Sequence, residues 1–138
     1  MLRSTLATKT KFSTITPRAA ISDTRVRHAR AGRTQELAPY LQAGIPANLT
    51  NDRGDTLLML AAYHGHPETV ELLLEHGAEP DRLNDRGQSP LAGAVFKGED
   101  AVVRALVRAG ADPDAGTPTA RASAQMFDQQ DLLALFGN

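Results

Sequence analysis

Residues 51–81 read NDRGDTLLMLAAYHGHPETVELLLEHGAEPD, and residues 84–114 read NDRGQSPLAGAVFKGEDAVVRALVRAGADPD. The two stretches keep step at a spacing of 33 residues, since both open with Asn-Asp-Arg-Gly and place glycine, alanine, leucine and valine at matching positions. Gly44, Gly77 and Gly110 continue this spacing outward. A fixed period of this length predicts stacked structural repeats that bury their apolar surface against one another.

Each repeat is predicted to form two helices. Thr56 and Ser89 stand where an N-cap is expected before the first helix of each pair. Pro67 opens a second helix, where its missing N–H costs little, and Gly77 and Gly110 end the second helices. Leucine and valine recur three and four residues apart in these second helices, so one stripe of each is predicted to face a neighbouring repeat.

The flanking units diverge from this pattern. Asp23 and Thr34 are predicted to cap the two helices of an earlier unit. At the other end the match needs a spacing of 30 residues, which places Thr119 on Ser89, and this shortened polar unit is predicted to be a terminal cap. The sequence therefore predicts one repeat domain over residues 23–138, with units at about 23–51, 52–84, 85–114 and 115–138.

Composition narrows the class of protein. The chain has 138 residues and no cysteine, which excludes disulfides and thiolate metal sites and is compatible with a reducing compartment. A net charge of −1 for the whole chain, against +4 for residues 1–22, leaves −5 for residues 23–138. A mildly acidic body argues against a nucleic-acid partner. No apolar run approaches the roughly 18 residues of a membrane span, so no membrane segment is predicted.

Residues 1–22 differ from the rest of the chain. They are rich in serine and threonine and contain no carboxylate. We expect a disordered basic tail and a cytoplasmic protein. The same composition is also typical of an organellar transit peptide, which would place the protein in the mitochondrion.

Four short motifs resemble the ankyrin repeat. They are Gly65-His66, Ala61-Ala62, the leucine run 72–74 and the closing stretch 77–81, GAEPD. The chain is also similar to small stand-alone ankyrin proteins of microbes, whose members generally lack an assigned biochemical activity. The resemblance implies an all-α ankyrin-like solenoid of about four units, with β-hairpin-like finger turns between units. It further implies a monomer that binds a protein partner and has no catalytic activity.

Some positions depart from the ankyrin pattern. Met59, Ala92 and Ala122 stand where that pattern has the histidine of Thr-Pro-Leu-His, so the hydroxyl–imidazole bonds of the family are not expected here. Gly93 stands where Leu60 packs in the preceding unit, which predicts a closer approach of the first helices near Gly93.

The resemblance also indicates one candidate binding surface. In an ankyrin-like stack the two residues before each mid-unit glycine point into the concave face. In this chain that column runs from Arg30 to Phe127. It predicts an apolar strip of Tyr63, Phe96 and Met126, as in the core of a protein interface. Arg30, His64 and Lys97 are predicted to lie at its margin. The alternative is that Phe96 and Met126 pack against neighbouring helices.

The finger turns indicate a second candidate surface. Asn51 and Asn84 are predicted to bridge their own backbone, while Gly54 and Gly87 take positive φ. The remaining turn side chains are either partner contacts or ion pairs between adjacent turns. They are Asp52, Arg53 and Asp55 in one turn and Asp85, Arg86 and Gln88 in the next.

Catalytic and metal hypotheses find little support. His64, His66 and Glu68 carry metal-ligating groups, but the helix is predicted to end at Gly65, so they do not share a helical face. Ser89 and Ser123 occupy ordinary repeat positions. No catalytic residue, metal or cofactor is predicted. The predicted function is a protein-binding scaffold or adaptor, with an organelle-targeted accessory or assembly factor and an enzyme or metal-dependent protein as the alternatives.

Overall fold

The structure is a computed structural model that describes residues 18–20 and 23–137. Within these ranges the chain forms eight α-helices and no strand longer than a single bridge. The helices are α1 (Thr24–Ala31), α2 (Thr34–Gln42), α3 (Leu57–Tyr63), α4 (Pro67–Glu75), α5 (Pro90–Lys97), α6 (Asp100–Arg108), α7 (Ala120–Met126) and α8 (Gln130–Phe136).

Successive helix pairs stack side by side. The inner helices α1, α3, α5 and α7 each contact the next inner helix, and the outer helices α2, α4 and α6 do the same in a second layer. Within each unit the inner helix packs on its own outer helix, and α8 packs on α7 in this way. The all-α ankyrin-like solenoid predicted from the sequence is confirmed.

The inner helices begin at the predicted capping residues. The hydroxyl oxygens of Thr56, Ser89 and Thr119 each accept a hydrogen bond from the backbone N–H three residues later, at 2.9–3.0 Å. Asp23 caps α1 through Oδ1, which accepts from the Arg25 N–H at 2.8 Å. These side chains satisfy N–H groups that the first helical turn leaves without a partner.

The prediction that Thr34 caps α2 is wrong. The N-cap is Arg33, and Thr34 is the first helical residue. The Thr34 hydroxyl instead lies 2.7 Å from the Thr69 hydroxyl on α4, in the next unit. The hydroxyl therefore joins two outer helices.

Matching apolar positions of successive units form the core. Leu58 and Leu91 are fully buried on the inner helices, and Leu73 and Leu106 are fully buried on the outer helices. Burial of a leucine side chain contributes roughly 1.5–3 kcal/mol to folding. Because each unit buries these side chains partly against its neighbours, the apolar core runs along the stack.

A repeated polar contact also joins the units. The Glu79 N–H donates to Asn48 Oδ1 at 2.9 Å, and the Asp112 N–H donates to Asp81 Oδ1 at 2.8 Å. Donors and acceptors are both 33 positions apart, so the same link recurs between successive loops.

Two glycines leave room for a side chain of the following unit. The ring of His66 lies where a Cβ at Gly32 would stand, and the carboxylate of Glu99 occupies the matching place beside Gly65. The predicted close approach at Gly93 is also present, since a Cβ added there would lie 3.1 Å from Met59 Cε.

Arg18–Ala20 contact the repeat domain. Arg18 forms a parallel bridge with Thr50, the Ala19 N–H donates to the Thr50 carbonyl at 2.6 Å, and the Ala19 side chain is buried. The predicted tail of residues 1–22 therefore includes two residues, Arg18 and Ala19, that contact Thr50 of the domain. Residues 1–17, 21 and 22 of that tail, with its predicted disorder or transit-peptide role, lie outside the described residues.

None of the helices in the described ranges reaches the length of a membrane span, and the longest have nine residues.

Candidate functional site

In α3 and α5 the exposed side chains lie at the C-terminal end of the helix. Residues 57–62 of α3 and residues 90–95 of α5 are all buried, and exposure begins with the two residues that follow. Phe96 is 59% exposed, Met126 is 71% exposed and Phe127 is 44% exposed. The packing alternative for Phe96 and Met126 thus receives no support, because neither side chain is buried.

We call the row of exposed and half-buried side chains at these helix ends the inner-helix surface. It comprises Arg30, Tyr63, His64, Phe96, Lys97, Met126 and Phe127. Five of the predicted partner-binding residues lie together in this row, and their binding role stays a prediction.

Contacts between units organise the inner-helix surface. The Lys97 ammonium lies 4.9 Å from the ring centroid of Tyr63 in the preceding unit, within the range of a cation–π interaction. The rings of Phe96 and Phe127 meet edge to face at 5.7 Å between centroids. Three successive units therefore contribute side chains to one continuous patch, which is apolar at the Phe127 end.

The other end of the inner-helix surface is positively charged. Partial burial is the main reason that the pKa of His64 is lowered, and the charges of Arg30 and Lys97 lower it further. A cationic margin therefore borders the apolar patch.

The finger turns have the predicted internal structure. Asn51 Oδ1 accepts from the Arg53 and Asp55 N–H groups at 2.9 and 3.0 Å, and Asn84 repeats this arrangement in the next turn. Gly54 has a φ of 76°, the left-handed conformation that this turn requires.

Two of the predicted contact residues, Asp55 and Gln88, form hydrogen bonds within or between the finger turns. Asp55 accepts from the side-chain amide of Asn84 at 2.8 Å and from that of Asn51 at 3.3 Å. Gln88 Oε1 accepts from the same Asn84 amide at 2.9 Å. Both side chains hold the turns together, and a partner role for them stays untested.

The alternative of ion pairs between adjacent finger turns is wrong for the arginines. Among the described residues, the side chains of Arg53 and Arg86 form no hydrogen bond or ion pair. Asp85 pairs instead with Arg18, whose guanidinium donates to both carboxylate oxygens at 2.8 and 3.0 Å. Arg18 also donates to the Asp52 carbonyl at 3.1 Å and lowers the pKa of Asp85.

An open depression lies at the first unit, at the Arg30 end of the predicted column. It has a volume of about 370 Å³ and is lined by Arg27, Arg30, Ala31 and Arg33. In the part of the chain that the structure describes, the three guanidinium groups have no acidic partner. The repeat spacing contains no signal for this depression, because only the first unit has arginines at these positions.

The histidines with metal-ligating potential have other surroundings. His66 Nε2 lies 2.9 Å from the Arg30 carbonyl oxygen, so His66 makes a structural bond to the preceding unit. Across the described ranges no three histidine, aspartate or glutamate side chains are grouped as a metal site would require. The Ser89 hydroxyl accepts the capping bond of α5.

Comparison with known proteins agrees with the geometry. A family model described as ankyrin repeats, in three copies, matches residues 26–117. The chain belongs to the ankyrin repeat family. Ankyrin repeats are generally protein-interaction modules, and the family typically provides non-enzymatic scaffolds.

One curated relative is an ankyrin repeat protein of Pseudomonas aeruginosa. It is 59% identical to this ankyrin chain over 44 residues, which are 32% of this chain and 26% of the relative. The matched part therefore spans about a quarter of the length of that protein.

Proposed function

We propose that this ankyrin repeat protein acts as a monomeric, non-catalytic adaptor that binds a protein partner through the inner-helix surface, with Arg53 and Arg86 as further contacts at the finger turns. The exposure of Phe96, Met126 and Phe127 carries this proposal. Large apolar side chains that meet on one surface are typical of the buried centre of a protein interface.

The chemistry of the surrounding groups supports the same role. Lys97 and His64 lie at the edge of the apolar patch, and interfaces combine an apolar centre with a polar rim. Arg53 and Arg86 expose guanidinium groups that no described residue pairs, and arginine is enriched at binding surfaces.

The helical scaffold also favours binding. The surface rests on inner helices whose preceding residues are fully packed. Association therefore orders little of the receptor, and less of the binding energy is lost to conformational entropy.

The test compares the full chain with the double variant F96A/M126A. Immobilised proteins are incubated with native lysate, captured proteins are quantified by mass spectrometry, and affinity is then measured with the purified partner. Loss of two central apolar side chains is expected to weaken binding by about 30-fold or more, as for interface hot spots. The melting temperature is expected to change little, because both side chains are exposed.

Leu83→Ala is the matched control. Leu83 is 41% exposed and lies outside the inner-helix surface, so its truncation removes exposed apolar area elsewhere. Equal affinity of F96A/M126A and L83A for the partner would overturn the proposal.

A further inference from the structure

We infer that the depression at Arg27, Arg30 and Arg33 binds clustered carboxylates of the protein partner, so that an acidic stretch of the partner lies at the first unit and its apolar side chains lie toward Phe127. This inference rests on the proposed function and adds the chemistry and the direction of the partner. We call this depression the arginine depression.

The arginine depression is continuous with the inner-helix surface. Arg30 precedes Tyr63 by 33 residues and Phe96 by 66, so the three occupy one repeat position on α1, α3 and α5. Arg30 is close enough to His64 to lower its pKa, and Lys97 stands over Tyr63. A segment that covers Phe96 and Tyr63 therefore reaches Arg30 by following the row.

Arg27 differs from the residues at the same repeat position in the later units. Arg27 matches Leu60 and Gly93, and the space beside Gly93 is filled by Met59 and Tyr63 of the preceding unit. Leu60 and Gly93 are buried, whereas the Arg27 side chain is exposed. The first unit thus exposes a charged side chain at a repeat position that is buried in the next two units.

Charge pairing separates these arginines from several others. Arg25 pairs with Asp23 and Arg121 pairs with Asp114, so both have an internal carboxylate. Arg27, Arg30 and Arg33 have none among the described residues and line the same depression. Three like charges in a shared depression attract an anion most strongly, since each adds to the local potential.

Protein carboxylates fit this surface better than phosphate groups. The neighbouring patch offers Phe96, Met126 and Phe127, which a phosphate ion does not use. An acidic segment with adjacent apolar residues contacts both ends of the row.

The probes are fluorescein-labelled synthetic peptides measured by fluorescence anisotropy. The first has three glutamates, a Gly-Ser spacer and two phenylalanines. The second has glutamine in place of glutamate, and the third has serine in place of phenylalanine. The full chain is compared with R27Q/R33Q, with F96A/M126A and with R104Q/R108Q, which removes two charges from α6.

The first peptide is expected to bind the full chain most tightly, and its affinity is expected to decrease with salt. R27Q/R33Q should weaken its binding about 3- to 30-fold, since each exposed charge pair contributes modestly. R104Q/R108Q should change it less than about twofold. F96A/M126A should bind the first and third peptides with similar affinity.

The other possible outcomes distinguish failure of this inference from failure of the proposed function. If R27Q/R33Q binds the first peptide like the full chain while F96A/M126A binds it poorly, the inference fails and the proposed function stands. If only R27Q/R33Q is weakened, the carboxylate site stands and the apolar patch does not. Displacement of the first peptide by millimolar inorganic phosphate, or no binding of any peptide, would overturn the inference.

Discussion

The Nε2 nitrogen of His66 lies 2.9 Å from the main-chain carbonyl oxygen of Arg30 in the preceding unit. A carbonyl only accepts, so the ring donates and its proton is on Nε2. Arg30 is in the last turn of α1, where helical carbonyls lack an intrahelical partner. The ring also fills the space beside Gly32, so one side chain satisfies a helix end and packs two units together.

Replacement of His66 by alanine is expected to lower the free energy of unfolding by about 1–2 kcal/mol, because the Arg30 carbonyl loses its donor. Urea denaturation followed by circular dichroism measures this change. H76A is the control, since the His76 ring lies 3.0 Å from a carbonyl oxygen within its own unit, that of Leu72. Equal losses for H66A and H76A would show that the contact between units contributes nothing particular.

Gly93 and Gly98 are expected to respond oppositely to alanine. Gly93 is inside α5, so G93A gains up to about 1 kcal/mol of helix propensity. Its new methyl group meets the flexible end of Met59, which can shift. G98A has open space but a φ of 72°, which costs an alanine about 1–2 kcal/mol. Thermal melts of both variants test this, and destabilisation by G93A would mean that Met59 cannot move.

Asp23 is expected to stabilise the first unit in a pH-dependent way. The Arg25 side chain lowers the pKa of Asp23 below its ordinary value of 3.8. The carboxylate therefore stabilises the fold fully above that value, and this contribution is lost as the pH falls through the lower folded-state pKa. D23A should lose about 1 kcal/mol at neutral pH through loss of the cap.

The pH dependence of D23A supplies the check. Its difference in unfolding free energy from the full chain should shrink below pH 3.8. D23N is the control, because asparagine caps helices as well as aspartate but carries no charge. A difference for D23A that stays constant down to the acid transition would contradict the ionic contribution.

His64 is expected to make the fold less stable in mild acid. Its pKa is lowered by burial and by the neighbouring cations, so the unfolded chain binds a proton more readily than the folded chain. Stability should therefore fall as the pH decreases through 6.5, the ordinary value. H64Q should reduce this fall, as measured by melting temperature between pH 8 and pH 5 on buffers of about equal ionic strength.

The control is H76Q, which removes a histidine from the end of α4 and leaves His64, beside Arg30 and Lys97, unchanged. If H76Q flattens the pH profile as much as H64Q does, the cationic surroundings of His64 are not responsible.

The helix pairs could be predicted from the sequence because their signals recur. Thr56 and Ser89 precede the inner helices of two successive units, and Gly77 and Gly110 follow the outer helices of the same units. The same signals therefore appear twice, and each unit supports the interpretation of the other. A hydroxyl at a helix start fits both the cap and the first turn, so the sequence does not distinguish these two positions for Thr34. Its contact with Thr69 in the next unit decides between them.

The candidate site was less predictable, because it depends on where units end. Phe96 and Met126 follow from the repeat register, whereas Arg27 is exposed at a repeat position that is buried at Leu60 and Gly93. Asp55 is a polar turn residue in the sequence, and only the structure shows that it bonds to the next turn. Arg18 lies outside the repeated pattern, so no spacing indicates its pairing with Asp85.

Arg18 occupies the Asp85 carboxylate of the finger turns and therefore competes with any partner that binds this group. Any partner that uses the Asp85 carboxylate must first displace the Arg18 guanidinium. A protein shortened to begin after Ala20 would then bind a partner of the finger turns more tightly than the full chain does. Its affinity for a partner of the inner-helix surface would be unchanged. The length of the N-terminal segment is therefore an experimental variable in every binding assay with this protein.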